Sequence, residues 1–222
     1  MRDQYHLDLE KYSLHKFKNN LNSRDMIPSR VSLKDELDER FRILEISGIS
    51  NLKELIEVLK TKPKFEMFSK ATGLTIEYLT LLKREAKSYI PNPIRLDKFS
   101  GIQTQYLDKL EAVGIKNSRN LFNAARGKKE REQLSQTTEI PIEILNELVC
   151  LSDLARAYGV GPIFARIVYD VGIKSIKEFI EYTAEDIIRI YEEKEHKKAD
   201  FGVNEIQFSL ELAKDFELAV EI

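Results

Sequence analysis

The sequence predicts an all-α protein composed of three divergent repeat units, each of four to five helices. Apolar residues recur at helical spacing through most of its 222 residues. Glycine and proline are scarce, at nine and six residues, and no stretch of four or more residues alternates apolar and polar side chains between turn signals. We therefore expect helices and no sheet.

The repeats become visible when the sequence is shifted against itself. One shift aligns Val113–Lys116 with Val171–Lys174, and a slightly longer shift aligns Thr72–Leu79 with Thr138–Leu145. Self-similarity at a fixed period is typical of repeat architectures. We place the three units at roughly 30–90, 95–151 and 153–220.

The domain division follows from the clearest break in the chain, Pro91-Asn92-Pro93, because proline disfavours helix at the residue before it. Residues 1–29 are interpreted as an N-terminal extension with a short helix, residues 30–90 as one degenerate unit, and residues 95–222 as two further units. The helix of the extension is expected around Leu14, Phe17 and Leu21.

Capping residues give the expected helix limits in the first unit. Ser32, with Glu36 nearby, is expected to begin a helix that Gly48 ends. Pro63 is expected to open a later helix that Gly73 ends, and Thr75 then caps the next one.

The third unit carries similar signals. Thr183 and Asp186 form a variant of the capping box, and Asn204 is expected to open the last helix. The segment Lys194–Asp200 is interpreted as a charged loop.

The composition places the chain among globular proteins with a charged surface, 42% apolar and 32% charged, with a net charge of −2. No apolar run approaches the roughly 20 residues that cross a bilayer, and no signal-peptide core is present, so no membrane contact is expected. The single cysteine, Cys150, is compatible with a reducing compartment, and we expect a cytoplasmic protein. Residues 41–180 carry 22 basic and 17 acidic side chains, so phosphate contact by one surface is possible.

The stretch Asp153–Ile180 reads as two helices around the turn Gly159-Val160-Gly161, with Pro162 at the first helical position. Both glycines can adopt backbone angles that a side chain disfavours. Such a turn leaves free N–H groups at a helix N-terminus, where a phosphate can bind. The pattern, followed by Ala165 and Arg166, resembles the helix-hairpin-helix motif of DNA-binding and repair proteins.

A more specific resemblance covers most of the chain and is strongest from Leu96 to Glu181. The residues SDLARAYGVGPIFARIVYDVGIKSIKEFI, preceded by TTEIPIEILNELVCL, resemble the uncharacterised family called domain of unknown function 4332. DMIPSR at Asp25–Arg30 and the segment Thr72–Pro93 are also similar. The resemblance implies tandem helix-hairpin-helix units and no established activity.

The candidate nucleic-acid-binding residues follow from the match to the DNA-binding hairpin, with a basic rim from neighbouring positions; they are Gly159, Val160, Gly161, Arg166, Arg156, Lys174 and Gly101. Ile163 stands where DNA-binding hairpins often carry a basic residue. In the second unit Gln103 replaces the second glycine, and Asp108 stands at the position of Arg166. Of the three units, therefore, only the third has a hairpin whose sequence is compatible with DNA binding.

Two functions remain open at this point. The first is non-sequence-specific binding of a DNA or RNA backbone, and the second is a protein interaction scaffold that has lost nucleic-acid contact. The hairpin also has a purely structural interpretation, as a tight turn that packs two helices. Enzyme activity, a cofactor, a metal and a small-molecule substrate are not expected, because His6, His15 and His196 are scattered and Cys150 lies on an apolar helix face.

Overall fold

The computed structural model describes residues 4–221 and is all-α over that range. Within these residues, extended pairing is limited to two isolated bridges, between Ser13 and Asn51 and between Arg95 and Asn117. The absence of a sheet from the described residues confirms the predicted fold class. The chain divides into two compact units, residues 7–90 and residues 4–6 with 91–221, called here the N-terminal and C-terminal units.

The N-terminal unit contains five α-helices and one 3-10 helix, Pro28–Lys34. The α-helices are α1 Leu14–Ser23, α2 Leu37–Ile46, α3 Leu52–Val58, α4 Lys62–Thr72 and α5 Ile76–Ser88.

The C-terminal unit contains eight α-helices and a short 3-10 helix, Leu96–Lys98. The α-helices are α6 Thr104–Ala112, α7 Ser118–Ala125, α8 Lys128–Thr138, α9 Ile142–Leu154, α10 Pro162–Asp170, α11 Ile176–Phe179, α12 Ala184–Glu195 and α13 Val203–Ala213.

Aromatic rings form the core of the N-terminal unit. The Phe17 ring lies 5.2 Å from that of Tyr89 and 6.0 Å from that of Phe41, centroid to centroid. All three side chains are at most 1% exposed, and burial of each such ring contributes on the order of 2 kcal/mol. Phe17 thus places α1 against α2 and the end of α5.

A buried ion-pair cluster holds the segment before α2 in the same unit. Glu85 on α5 is fully buried, and its two carboxylate oxygens accept hydrogen bonds from Arg24 and Arg30. Removal of a carboxylate from water is unfavourable unless its charge and lone pairs are matched, and here two guanidinium groups match them. The DMIPSR segment is therefore fixed to α5 by its terminal arginine.

In the C-terminal unit the core lies where α7 packs on α9. Leu121 and Phe122 of α7 and Leu145 and Leu148 of α9 are fully buried. Together with buried Ser118 and Ala125 of α7, these residues follow the three- and four-residue spacing of a helix face.

One turn geometry recurs three times in the described residues. Gly48, Gly114 and Gly172 follow α2, α6 and α10 with φ values of 87°, 83° and 102°. This left-handed conformation is accessible to glycine without steric cost. In each turn the next residue is a buried isoleucine whose N–H bonds to a carbonyl five residues earlier, as in Ile49 N to Leu44 O at 3.1 Å.

The helix that follows each of these turns begins in the same way. Asn51, Asn117 and Ser175 are its N-caps, with φ between −149° and −146°, and each side chain accepts from the N–H three residues later. In addition, Glu54 accepts from Ser50 N and Glu178 from Lys174 N, both at 2.7 Å.

A second correspondence relates α4–α5 to α8–α9, as the longer of the two sequence shifts predicts. Ser69 Oγ donates to Leu74 O at 2.7 Å, and Ser135 Oγ donates to Ile140 O at 2.6 Å. Gly73 and Glu139, which separate the paired helices, are both left-handed.

Three predicted boundaries differ from the structure. Ser32 lies in a 3-10 helix, and α2 begins only at Leu37, because Glu36 adopts φ 48° and interrupts the helical path. The last helix begins at Val203 after Gly202, whose N–H donates to the Glu205 carboxylate, rather than at Asn204. The charged loop starts at His196, since α12 includes Lys194 and Glu195.

Candidate nucleic-acid interface

The two glycines of the turn between α9 and α10 differ in backbone conformation. Gly159 is left-handed at φ 74° and exposed. Gly161 is the N-cap of α10 with φ −85° and ψ 179°, an extended conformation open to any residue. Only Gly159 therefore uses the conformational freedom of glycine in this turn.

The main-chain N–H groups at the start of α10 have no side-chain cap from the N-cap residue. Gly161 provides no side-chain acceptor, and Pro162 has no N–H. A Cβ added at Gly159 or Gly161 would have no atom within 4 Å, so the turn is open on its outer side. Val160 between them is buried, and its N–H bonds to Ala157 O at 3.1 Å, which fixes the turn.

Arg166 on α10 is engaged within the protein. Its Nη2 donates to Glu147 Oε1 and to Ser100 O, both at 2.6 Å, and its Nη1 lies 3.4 Å from Asp170 Oδ1. The side chain is only 15% exposed. The guanidinium that the sequence analysis assigned to phosphate contact is thus already paired with two carboxylates.

Arg166 also brings the two predicted hairpin turns together. Gly101, with φ 86°, directly follows Ser100, and a Cβ added there would lie 3.5 Å from Arg166 Nη2. Gly101 and the middle of α10 are therefore connected through one side chain. Asp108 on α6 is exposed.

Arg156 is not a surface residue. Its side chain is 1% exposed, its Nη1 bonds to Asp153 Oδ1 at 2.8 Å, and its guanidinium lies 4.4 Å from the Phe122 ring centroid. Burial lowers the pKa of this guanidinium, with Asp153 opposing the shift. The interpretation of Arg156 as part of an exposed basic rim is therefore wrong: the neighbouring carboxylate and rings draw it into the core.

Arg156 and a second buried arginine hold residues 216–221, called here the C-terminal segment. Arg156 Nη2 donates to Glu217 O at 3.0 Å, and Arg131, which is 4% exposed, donates to Glu221 O. The Glu221 side chain accepts from Lys128 N, the first N–H of α8, at 2.9 Å. A carboxylate of this chain thus occupies the positive end of α8.

Lys174 is exposed and lies beside a cavity of about 360 Å³. The cavity is also lined by Arg131, Cys150, Tyr169 and Glu221. Burial raises the pKa of the Cys150 thiol to about 12, which keeps it protonated and weakly nucleophilic at neutral pH.

The aromatic side chains near the hairpin pack within the protein. The Tyr158 ring lies 4.8 Å from that of Phe208, and the Phe164 ring lies 5.0 Å from that of Phe201, both edge to face. These rings join α10 and its preceding turn to α13 and the loop before it.

A basic surface that the sequence analysis did not single out lies at the start of α4. It comprises Lys60, Lys62, Lys64 and Lys83 and is called here the α4 basic surface. The signal was present in the pentapeptide KTKPK at residues 60–64, but Lys83 reaches it only because α5 packs beside α4.

The described residues contain no group of three or more His, Cys, Asp or Glu side chains arranged to hold a metal ion. Every helix over the same range is too short or too polar to span a bilayer.

Comparison with known proteins identifies the family. The model of the family described as a domain of unknown function, number 4332, matches residues 100–211, about half of the chain. The chain therefore belongs to this family, which is named for having no assigned activity. No curated protein and no solved structure matches the chain.

Proposed function

We propose that this chain is a non-enzymatic protein of tandem helix-hairpin-helix repeats that binds the sugar–phosphate backbone of nucleic acid without sequence preference. The repeat organisation is supported by the three glycine–isoleucine turns and their matching N-caps. They recur where the two shifts of the sequence against itself predict them. Such a turn followed by a capped helix is the unit from which hairpin arrays are built.

The observation that carries the binding proposal is the open start of α10. Gly161 leaves the first N–H groups of α10 without a side-chain cap, on an exposed turn with no atom near either glycine Cβ position. Helix N-termini favour anions through these N–H groups and the helix dipole. Contacts of this kind reach phosphate oxygens and carry no base information.

The role of Arg166 changes in this proposal. Because Glu147 and Asp170 neutralise it, Arg166 serves to fix α10 against the Ser100 carbonyl, and the main chain makes the phosphate contact. One hairpin then neutralises little phosphate charge. Its contribution to the log–log salt dependence of affinity should be shallow, about −1 or less steep.

The test uses two substitutions at Gly161. Gly161→Asp places a carboxylate at the N-cap, where aspartate is a favoured residue, so α10 is stabilised while its N–H groups become occupied. Gly161→Ala leaves them free. We expect Gly161→Ala to bind labelled single- and double-stranded DNA and RNA with the same affinity as wild type. Gly161→Asp should bind them more weakly, because the phosphate contact of the hairpin is lost. Equal binding by both variants would overturn the proposed site.

A second function, protein interaction, is favoured by Ile163. This residue follows Pro162 at the tip of the hairpin, and 76% of it is exposed. Because the turn before α10 is fixed, this exposed isoleucine is held in a defined position. Such a side chain is suited to an apolar contact with another protein. Absence of salt-sensitive polynucleotide binding by the wild-type chain would favour this function, and sedimentation of wild type against Ile163→Ser would show whether the tip self-associates.

A further inference from the structure

Lysine side chains converge on a single carboxylate in the N-terminal unit. Lys60 Nζ and Lys64 Nζ lie 3.3 Å from the two oxygens of Glu57. These hydrogen bonds, that from Lys64 first, hold the pKa of Glu57 below its ordinary value. One carboxylate cannot neutralise two ammonium groups, so a net positive charge remains at this position.

Two more lysines extend the same surface. Lys83 Nζ donates to the main-chain carbonyl of Lys60 at 3.2 Å. This partner is neutral, so the contact does not cancel the positive charge of Lys83. Lys62, 86% exposed in its side chain, has Glu66 as its partner at 3.8 Å, a contact weak enough for an incoming anion to displace. The α4 basic surface thus carries four positive charges against two negative ones.

The surface also has an aromatic element. Lys83 Nζ lies 5.5 Å from the centroid of the Phe65 ring, which is half-buried. An aromatic ring among lysines is a common feature of single-strand binding grooves, where bases stack on rings while cations follow the backbone.

An equivalent position in the same chain already binds an anionic group. The shift that lays Thr72–Leu79 on Thr138–Leu145 also aligns Lys62 with Lys128, the first residue of α8. Lys128 N donates to the Glu221 carboxylate at 2.9 Å. Neither α4 nor α8 has a side-chain cap hydrogen bond from its N-cap residue. In α8 the chain supplies the anion itself.

We propose that the α4 basic surface is a second contact for nucleic-acid phosphates, formed by Lys60, Lys62, Lys64 and Lys83 with the start of α4. The inference rests on the proposed function for the class of partner and is independent of the hairpin for its site. It assigns a binding role to the unit that lacks the double-glycine hairpin. Nucleic acid is favoured over a lipid surface because Phe65 is half-buried beneath Lys83 instead of projecting as an insertion anchor.

The salt dependence of binding gives the quantitative expectation. Four neutralised phosphates predict a log–log slope of about −3 to −4 for duplex DNA. The variant Lys60→Gln/Lys62→Gln/Lys64→Gln should reduce the magnitude of that slope by about 2 to 3 and weaken binding by about tenfold or more, alike for all sequences. Glu57→Gln should act in the opposite direction and tighten binding.

The matched control removes three lysines elsewhere in the N-terminal unit. Lys11, Lys18 and Lys53 pair with Asp8, Asp38 and Glu10, and their simultaneous change to Gln should alter the slope by less than about 1. Circular dichroism of each full-length variant checks that the fold is retained.

The outcomes separate this inference from the hairpin proposal. Loss of affinity in the triple α4 variant with none in Gly161→Asp supports the α4 basic surface and overturns the hairpin. The reverse pattern overturns the α4 basic surface and leaves the hairpin. Binding of phosphatidylserine vesicles in place of any polynucleotide, or no binding of either, overturns the inference.

Discussion

Asp153 Oδ1 accepts a hydrogen bond from Arg156 Nη1 at 2.8 Å, and both side chains are buried. The second oxygen of Asp153 accepts from Ile176 N, also at 2.8 Å, and the second nitrogen of Arg156 donates to Glu217 O. One ion pair therefore connects the end of α9 with the start of α11 and with the C-terminal segment.

Removal of the acid from this pair should be costly. Asp153→Ala leaves a buried guanidinium without its counter-charge, and we expect a loss of about 3–5 kcal/mol in the free energy of unfolding. Urea unfolding followed by circular dichroism measures it. The control is Asp170→Ala, whose carboxylate is 45% exposed in its pair with Arg166 and should contribute less than about 1 kcal/mol. A similar loss in the two variants would contradict the buried-pair account.

Glu85 should behave in the same way in the N-terminal unit. Glu85→Ala removes the acceptor of both Arg24 and Arg30, and we expect a loss of at least about 2 kcal/mol. Glu77→Ala, an acidic residue in the first turn of the same helix, should cost less than about 1 kcal/mol. Comparison of the two urea midpoints tests the prediction, which fails if Glu85→Ala unfolds at the same denaturant concentration as the control.

The two glycines of the α9–α10 turn should respond differently to alanine. Gly159→Ala forces a Cβ into a left-handed conformation and should cost about 1–2 kcal/mol. Gly161→Ala, at φ −85° with open space around the Cβ position, should change stability by less than about 1 kcal/mol, because alanine is a poorer N-cap than glycine but restricts the unfolded chain more. Thermal unfolding of both variants measures the two losses of stability. Equal losses would contradict the left-handed conformation of Gly159 and the extended conformation of Gly161.

Cys150 should be nearly inert in the native protein. Its thiol is buried with a pKa of about 12, so labelling by iodoacetamide at neutral pH should be slow until denaturant is added. The unfolded state loses this proton from about pH 9 upward while the native state keeps it, so the thiol's contribution to stability falls between about pH 9 and 12.

The variant Cys150→Ala isolates this effect. The stability difference between wild type and Cys150→Ala should shrink by about 1 kcal/mol from pH 8 to pH 10. A difference that stays constant over this interval, or rapid labelling of the folded protein, would argue against a buried neutral thiol.

The features that the sequence predicted correctly are those that depend on nearby residues. Thr75 caps α5 through Tyr78 N, Gly73 ends α4, and Thr183 with Asp186 forms the predicted capping box. Each of these needs only a side chain and N–H groups within a few positions. The all-α class follows from the same local periodicity.

The misassignment of Arg156 concerns a side chain whose environment comes from distant parts of the chain. Arg156 was interpreted as a surface cation, yet its partners include Phe122 and Glu217, far from it in sequence. Likewise, the position of Lys83 beside Lys60 depends on how α4 and α5 pack. Pairings of this kind cannot be read from spacing within one helix.

The way in which residues 216–221 are held has a practical consequence for the boundaries of recombinant fragments. The family match ends at residue 211, whereas the main-chain oxygens that satisfy Arg156 and Arg131 belong to Glu217 and Glu221. A fragment cut to the limits of the family would strip two buried guanidinium groups of these acceptors. If such a fragment proved insoluble, the loss of these acceptors would explain the result. The experiment would then not show whether the family domain folds independently.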